Sequence, residues 1–300
     1  MSEFRATAVV VTYRSARTIE GCLAALRRCR DEGLCEVVVV DNSSPDATRE
    51  MLRAHEGWAK IVDSGSNLGF GRGCNRGLQE ARTPYVVFVN PDAVLEPDAL
   101  RAIIDFAESN PRAGVVAPAI REPDGSLQHA GGLPTPASIV LASWPGHVDA
   151  ARVSIEPGTE ARRVDWVCGA LFLARTDLLR GLGGFDPRFF LYWEETDLWR
   201  RVLETGSEIW ATGSAIATHV GGASALPDPK EPSWARSIPR HYFQSRFYYV
   251  RKHHGSVVAC VVELAELFLL AINSLRWRSL KPLRDRWAGT FFSAPSEPGA

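Results

Sequence analysis

The sequence predicts an α/β fold: a mostly parallel central sheet flanked by helices, followed by a helical C-terminal extension. Three observations predict it. Through the first 120 residues, apolar runs of strand length alternate with amphipathic stretches, the pattern of successive βαβ units. Some of those runs, "VVVV" at 37–40 and "YVVFV" at 85–89, are apolar at every position, as strands covered on both faces must be. From residue 239 the period becomes helical and stays so to about 288.

The elements follow in order. The opening "MSEFRATAVVVTYRS" has an apolar core of only 8–11, too short for a secretory signal, and reads as the first strand, 6–12. Helix 17–30 and strand 36–40 come next. Ser44 is placed as an N-cap with Pro45 at the first helical position of a helix over 45–56. Strand 60–62, helix 71–81 and strand 85–89 follow. Pro91 cannot donate to a ladder, so that last strand ends there and leaves Asp92 at the carboxyl edge of the sheet. Helix 97–108 starts on Glu-Pro-Asp, and strand 114–117 closes the first half. The segment 121–163 is rich in Pro, Gly and Ser without a period and predicts a long, variable excursion. Beyond it lie strand 164–174, helices 176–181 and 195–205, a short strand 208–211 leading into "ATGSAIATHVGGAS", and a Pro-rich loop at 225–237. The natural division is 1–237, in halves 1–118 and 119–237, with 238–300 as the helical extension. No internal repeat or membrane span is expected, because the apolar stretch 257–272 is short and carries Glu263 and Glu266 on one helical face.

Bulk properties narrow the function. A chain of 300 residues with 45% hydrophobic and 23% charged residues suits a soluble enzyme. A net charge of −1 gives no field for nucleic acid. Six cysteines without a C-x-x-C pair point to reduced thiols and a cytoplasmic setting.

In the first half, three strand tips end in polar groups, "TYRS" at 12–15, "DNSS" at 41–44 and "NPDA" at 90–93, and a parallel sheet gathers them along one ligand-binding edge. Asp41 can accept from a base or a ribose hydroxyl, or simply open a helix-entry turn. In "SNLGFGRGCNRG" (66–77) the glycines let backbone approach a ligand beside Arg72 and Asn75, or merely cap a helix. It is no dinucleotide fingerprint, since the first strand-to-helix turn lacks glycine, which disfavours a nicotinamide oxidoreductase. In "FFLYWEETDLWRR" (189–201), Glu194, Glu195 and Asp197 either answer the helix dipole or supply a general base beside the aromatic Tyr192 and Trp193. His219 is either structural or, with Asp92, part of a divalent-cation site that holds a diphosphate.

Seven motifs in order resemble the family 2 glycosyltransferases, in a bacterial rhamnosyltransferase-like branch, over roughly residues 5–255: "VVVTYRSARTIEGCLAAL", "VVVVDNSS", "NLGFGRGCNRGL", "VVFVNPDA", "WVCGALFLARTDLL", "GGFDPRFFLYWEETDLWRR" and "HVGGAS". The resemblance implies a Rossmann-like GT-A fold with a nucleotide-sugar-binding half (1–118) and an acceptor and catalytic half (119–237). It implies an inverting transfer from a dTDP- or UDP-sugar, rhamnose favoured, to a glycan or polyprenyl-diphosphate-linked acceptor of the cell envelope. Thr12, Tyr13, Arg14 and Asp41 would then hold the nucleoside, with Asn67, Gly69, Arg72, Asn75 and Asn90 near ribose, diphosphate or sugar. Asp92 would take the metal role of a D-x-D motif whose first position is Asn90 here, and His219 would supply part of the missing ligation of Mn²⁺ or Mg²⁺. Glu194 is the expected base and Glu195 the alternative. Trp166, Gly169, Ala170 and Trp193 would line the acceptor site. A catalytically silent nucleotide-sugar-binding or scaffold protein of the same fold is the other reading. In the tail, an apolar helix between basic ends, with Arg276, Arg278, Lys281, Arg284 and Arg286 beside Trp277 and Trp287, suits peripheral attachment to the anionic inner face of the membrane, or packing on the catalytic domain or in a homodimer.

Overall fold

A computed structural model of the chain describes residues 4–144, 151–219 and 237–277, with backbone alone for 237–240 and 274–277. Residues 220–224 of the "HVGGAS" motif, most of the loop at 225–237, and the tail beyond 277 lie outside the described residues.

The first half builds β1 (Ala6–Thr12), α1 (Ile19–Asp31), β2 (Cys35–Asp41), α2 (Thr48–Arg53), β3 (Lys60–Asp63), α3 (Phe70–Glu80), β4 (Tyr85–Val89), β5 (Ala93–Val94), α4 (Pro97–Ser109) and β6 (Ala113–Arg121). The second builds β7 (His129–Gly131), α5 (Pro136–Leu141), β8 (Arg152–Ser154), β9 (Arg162–Val164), β10 (Leu171–Arg175), α6 (Thr176–Gly181), α7 (Glu194–Glu204), β11 (Glu208–His219), α8 (Ser237–His254) and α9 (Ser256–Trp277). The main sheet runs β3-β2-β1-β4-β10-β6-β11-β5, with β9 pairing β11. β1 is parallel to β2 and β4, β2 to β3, and β11 to β6, whereas β10 runs antiparallel to both of its neighbours.

Both faces of the sheet are covered, which is why its strands are apolar throughout. Ala8 and Val10 point into a core with Leu23 and Leu26 of α1 and Leu100, Ile103 and Ile104 of α4. Val9 and Val11 point into the opposite core, with Cys74 and Leu78 of α3 and Leu198 and Trp199 of α7. Close approach is built into α3: a Cβ at Gly73 or Gly77 would lie 2.5 and 2.2 Å from methyls of Val11 and Val9. A third cluster joins Phe189 and Trp193 to Phe247, Tyr249 and Val262 of the C-terminal helices.

Four expectations change. The single strand expected over 164–174 divides into β9, which pairs with β11, and β10, which pairs with β4 and β6, with a turn at 169–170 between them. The helix after β2 starts at Thr48 with Ala47 at its cap. Ser44 instead donates its N–H to Asp41 Oδ1 at 3.0 Å and accepts from the Arg14 N–H at 3.0 Å, tying two strand tips together. The span 121–163 holds a two-stranded sheet, β7 with β8, and the helix α5, capped by Thr135. The stretch 208–219 is one strand with a bulge between Thr212 and Ile216, longer than the short strand expected over 208–211.

Candidate active site

β1, β2 and β4 end at the same sheet edge, and β10, running the other way, begins there. That reversal sets 168–170 beside the tip of β4, where the Asn90 N–H donates to the Ala170 carbonyl at 2.8 Å. β11 ends at the same edge, its His219 paired in register with Ala93. Asp92, one residue earlier, therefore meets His219: Oδ1 is 3.2 Å from Nε2, and both side chains are buried.

His219 is held from both sides. Its Nδ1 lies 2.6 Å from the amide nitrogen of Gln128 and 3.5 Å from Glu122 Oε1, and Asn90 Nδ2 is 3.4 Å from Nε2. Burial alone would lower the imidazole pKa, but Asp92 and Glu122 on either side outweigh it and raise it above the ordinary histidine value. Among the described residues no cluster of three His, Cys, Asp or Glu is arranged for a metal. The donor set of one carboxylate and one imidazole nonetheless fits a Mn²⁺ or Mg²⁺ ion that takes its remaining ligands from a diphosphate and water.

Glu122 leads from this pair into a cavity of about 740 Å³. Trp166, Cys168, Trp193 and Glu195 form one wall, and Tyr242, Arg246 and Glu266 of the C-terminal helices another. The Cys168 thiol, pushed up to about 12 mainly by burial, also feels the charges of Glu195, Glu122 and Asp92, so all three carboxylates lie near it.

The two glutamates part company through backbone geometry. Tyr192 and Trp193 both adopt positive φ, 67° and 68°, a conformation that L-residues occupy only when the surroundings impose it. The chain enters α7 from this left-handed turn. Glu194 then points beneath the helix toward Gly71, where an added Cβ would meet the Glu194 Cβ at 3.4 Å, and its charge reaches the Cys74 thiol in the core. Glu195 faces the cavity across Gly169, where a Cβ would stand 3.2 Å from its own. Burial raises both carboxyl pKa values, and for Glu194 the neighbouring Glu195 raises it further. One oxygen of each, Oε2, is buried without a protein partner. The cavity is thus lined by Glu195, the alternative base that the resemblance implies, and not by Glu194.

Asp197, three residues into the same helix, behaves oppositely. Burial would raise its pKa, but His253, Arg201 and Lys252 lower it more. His253 Nε2 and Lys252 Nζ stand 2.7 and 2.6 Å from Oδ1, so this carboxylate anchors α8 to α7.

The remaining predicted residues divide into two groups. Thr12, Arg14 and Asp41 sit at the tips of β1 and β2 with Tyr13, and the Arg14 guanidinium lies 5.5 Å from the Tyr13 ring centroid. Thr12 Oγ1 is buried without a protein partner, and Asp41 is held by Ser44 and by Arg49 at 3.2 Å. Gly69, at φ 82°, abuts the Phe190 carbonyl, and Asn67 accepts from the Gly69 N–H at 3.0 Å in an exposed turn. Trp166 donates its indole N–H to Thr196 at 3.0 Å. Two residues point elsewhere. Asn75 spends its amide on both backbone groups of Phe185, at 2.7 and 2.8 Å. Arg72 lines a separate depression with Asp186, Arg188, Arg201 and Lys252. Sequence reasoning misses Glu122, Gln128, Tyr242, Arg246 and Glu266. The first two fall in a segment without period, and only β11's return puts them beside His219. The other three lie on helices whose packing the sequence does not announce.

Residues 7–137 match the family model for glycosyl transferase family 2. Over 270 residues the chain is 29% identical to the N-acetylglucosaminyl-diphospho-decaprenol L-rhamnosyltransferase of Mycobacterium tuberculosis, covering 82% of this chain and 84% of that one. It is 26% identical to the rhamnosyltransferase WbbL of Escherichia coli over 198 residues, 63% of this chain and 74% of that one. Among solved structures it resembles a mannosyltransferase from Pyrobaculum calidifontis in complex with GDP-Man and Mn²⁺, with a TM-score of 0.58, 18% identity, and coverage of 93% of this chain and 75% of that one. That likeness concerns the fold.

Proposed function

We propose that this chain is a family 2 glycosyltransferase, on the match of residues 7–137 and the likeness of its fold, and that it transfers a sugar, with inversion, from a nucleoside-diphosphate donor to a hydroxyl of a lipid-linked glycan acceptor at the inner face of the cell membrane. Rhamnose is the sugar we favour, from the names of the relatives. The observation that carries the reading is the placement of Glu195 and Glu122 on one cavity, with Glu122 linked through His219 to Asp92.

The tips of β1 and β2, with Thr12, Tyr13, Arg14 and Asp41, hold the nucleoside. Asp92 and His219, beside Asn90, would hold a divalent cation, which supplies charge neutralisation to the departing diphosphate when bound. Glu195 takes the proton of the acceptor hydroxyl as that oxygen bonds to the anomeric carbon, and the bond from that carbon to the diphosphate oxygen breaks on the opposite face. Burial favours this exchange, since a carboxylate out of water accepts a proton more readily. Trp166 and Trp193, with Tyr242, offer aromatic faces to the acceptor sugar, and Gly169, lacking a side chain, leaves Glu195 its place beside the strand end.

The test is turnover with dTDP-rhamnose, UDP-glucose, UDP-galactose and GDP-mannose in Mn²⁺, comparing wild type with Glu195→Gln and Glu194→Gln. Glu195→Gln should lower kcat by about 10²–10⁴ with donor affinity unchanged, as the loss of a general base does. Equal loss from both variants, or none from Glu195→Gln, would remove Glu195 from this role. Donor binding without turnover in wild type would favour the silent sugar-nucleotide-binding reading.

A further inference from the structure

The apolar helix from which the sequence predicts no membrane span is, by length and composition, long enough to cross one: Ser256–Asn273. Its charges decide otherwise. Glu263 and Glu266 are buried against Arg246, with Glu266 Oε1 2.6 Å from the guanidinium, and Ser143 donates to the same carboxylate at 3.1 Å. A spanning helix would strip both carboxylates from Arg246 and place them in hydrocarbon. The interrupting charges instead fasten α9 to α8 and α5, and the opposite face is left bare.

That face is continuous. Of nine large apolar side chains exposed among the described residues, five belong to α9: Val257, Val261, Leu264, Phe268 and Ile272. Spacings of four, three, four and four residues keep them on one narrow stripe. Their exposure, from 38% at Ile272 to 79% at Val257, would be unusual on a surface that stays in water. No Asp, Glu, Lys or Arg between 256 and 273 reaches solvent.

Charge distinguishes the occupants. Exposed Arg251 precedes the stripe. Arg276, Arg278, Lys281, Arg284 and Arg286 follow it in sequence, interleaved with Trp277 and Trp287. An acid-free stripe flanked in sequence by cations offers no carboxylate to pair with the cations of a second copy. The same distribution matches anionic headgroups around an apolar boundary.

We propose that α9 lies in the plane of an anionic phospholipid surface, with the 257/261/264/268/272 stripe at the acyl boundary. The inner face of the same helix supplies Glu266 to the cavity wall. The cavity is therefore held above the bilayer by about one helix diameter, roughly 10–12 Å. A hydroxyl reached at that height belongs to a headgroup that projects from the surface, as a sugar on a lipid diphosphate does. This last consequence rests on the transferase reading; the docking itself does not.

The experiment uses the full chain, sedimented at low salt with vesicles of phosphatidylcholine alone or with about one third phosphatidylglycerol, against the double variant Leu264→Glu/Phe268→Glu. Both side chains are exposed, so circular dichroism and thermal melting should match wild type. Wild type should pellet with the anionic vesicles, and the double variant should pellet at least tenfold less. Donor turnover in solution should be the same for both proteins. Wild type remaining in the supernatant, equal pelleting of the variant, or a wild-type dimer that the variant converts to monomer would each overturn the proposal. Absent turnover with vesicle binding intact would count against the transferase reading alone.

Discussion

At the scale of single residues, the two adjacent glutamates of α7 carry the clearest lesson. Their sequence context is the same, and the helix dipole favours both as carboxylates. Two positive-φ residues before them turn one side chain into the core and the other into the cavity. Burial and the charge of Glu195 raise the Glu194 pKa well above the ordinary glutamate value. A raised folded pKa gives stability that is complete below the unfolded value of about 4.3 and is lost as pH climbs through the folded one. The Glu194→Gln side chain has no proton to lose and so bears no such loss. Melting temperatures of this variant and wild type, taken from pH 5 to pH 8, should therefore diverge in favour of the variant as pH rises. A constant difference across that range would mean that Glu194 is not buried as an acid.

At the scale of elements, the informative pieces are the ones whose partners lie far along the chain. β10 reads from sequence as part of another buried strand, but its direction follows from the chain returning through 121–163, and that direction brings Gly169 and Ala170 beside the tip of β4. α8 and α9 read as a tail, yet they carry one wall of the cavity and a buried ionic triad. Arg246 is 4% exposed and faces Glu263 at 3.2 Å and Glu266 more closely still. Removing one partner of a buried ionic group leaves the others unpaired, at a cost of about 3–5 kcal/mol. Urea denaturation of Arg246→Ala should show a loss of that size. A loss under about 1 kcal/mol would mean that water reaches the triad and that α9 is only loosely docked.

At the scale of the whole molecule, the fold holds a carboxylate and imidazole at the tips of β4 and β11 and a glutamate at the start of α7, which the proposed transfer uses at opposite ends of its reaction axis. They should fail separately. A nucleoside diphosphate with Mn²⁺ at about a hundredfold excess over Kd should raise the wild-type melting temperature by about 5 °C, and a chelator should reverse the cation-dependent part. Asp92→Asn should lose that part, whereas Glu195→Gln should keep it. Loss of the cation effect in both variants would mean that Glu195 holds the ion and is not a base. The C-terminal helices matter because Tyr242, Arg246 and Glu266 line the cavity, which is therefore completed by residues outside the stretch 7–137 that matches the family model.

Periodicity alone determined the strands and most helices of the first half, because strands buried on both faces admit few polar residues and leave an unmistakable run. β4 is read to the residue, 85–89, and the carboxylate at its tip follows from Pro91. Thr12, Asp41 and Asp92 were legible for the same local reason, each being a polar residue that closes an apolar strand. Tertiary structure decided the rest. Glu122 and Gln128 became neighbours of His219 only when β11 paired with β6 and β5. Asn75 was turned to the Phe185 backbone and Arg72 to another surface. The choice between Glu194 and Glu195 fell to the strained turn before them, and the inward charges of α9 to the position of Arg246. Local sequence specifies what an element is, because burial and hydrogen bonding act along a few residues. Which side chains meet is set by strand order, direction and helix docking, which depend on contacts between distant parts of the chain.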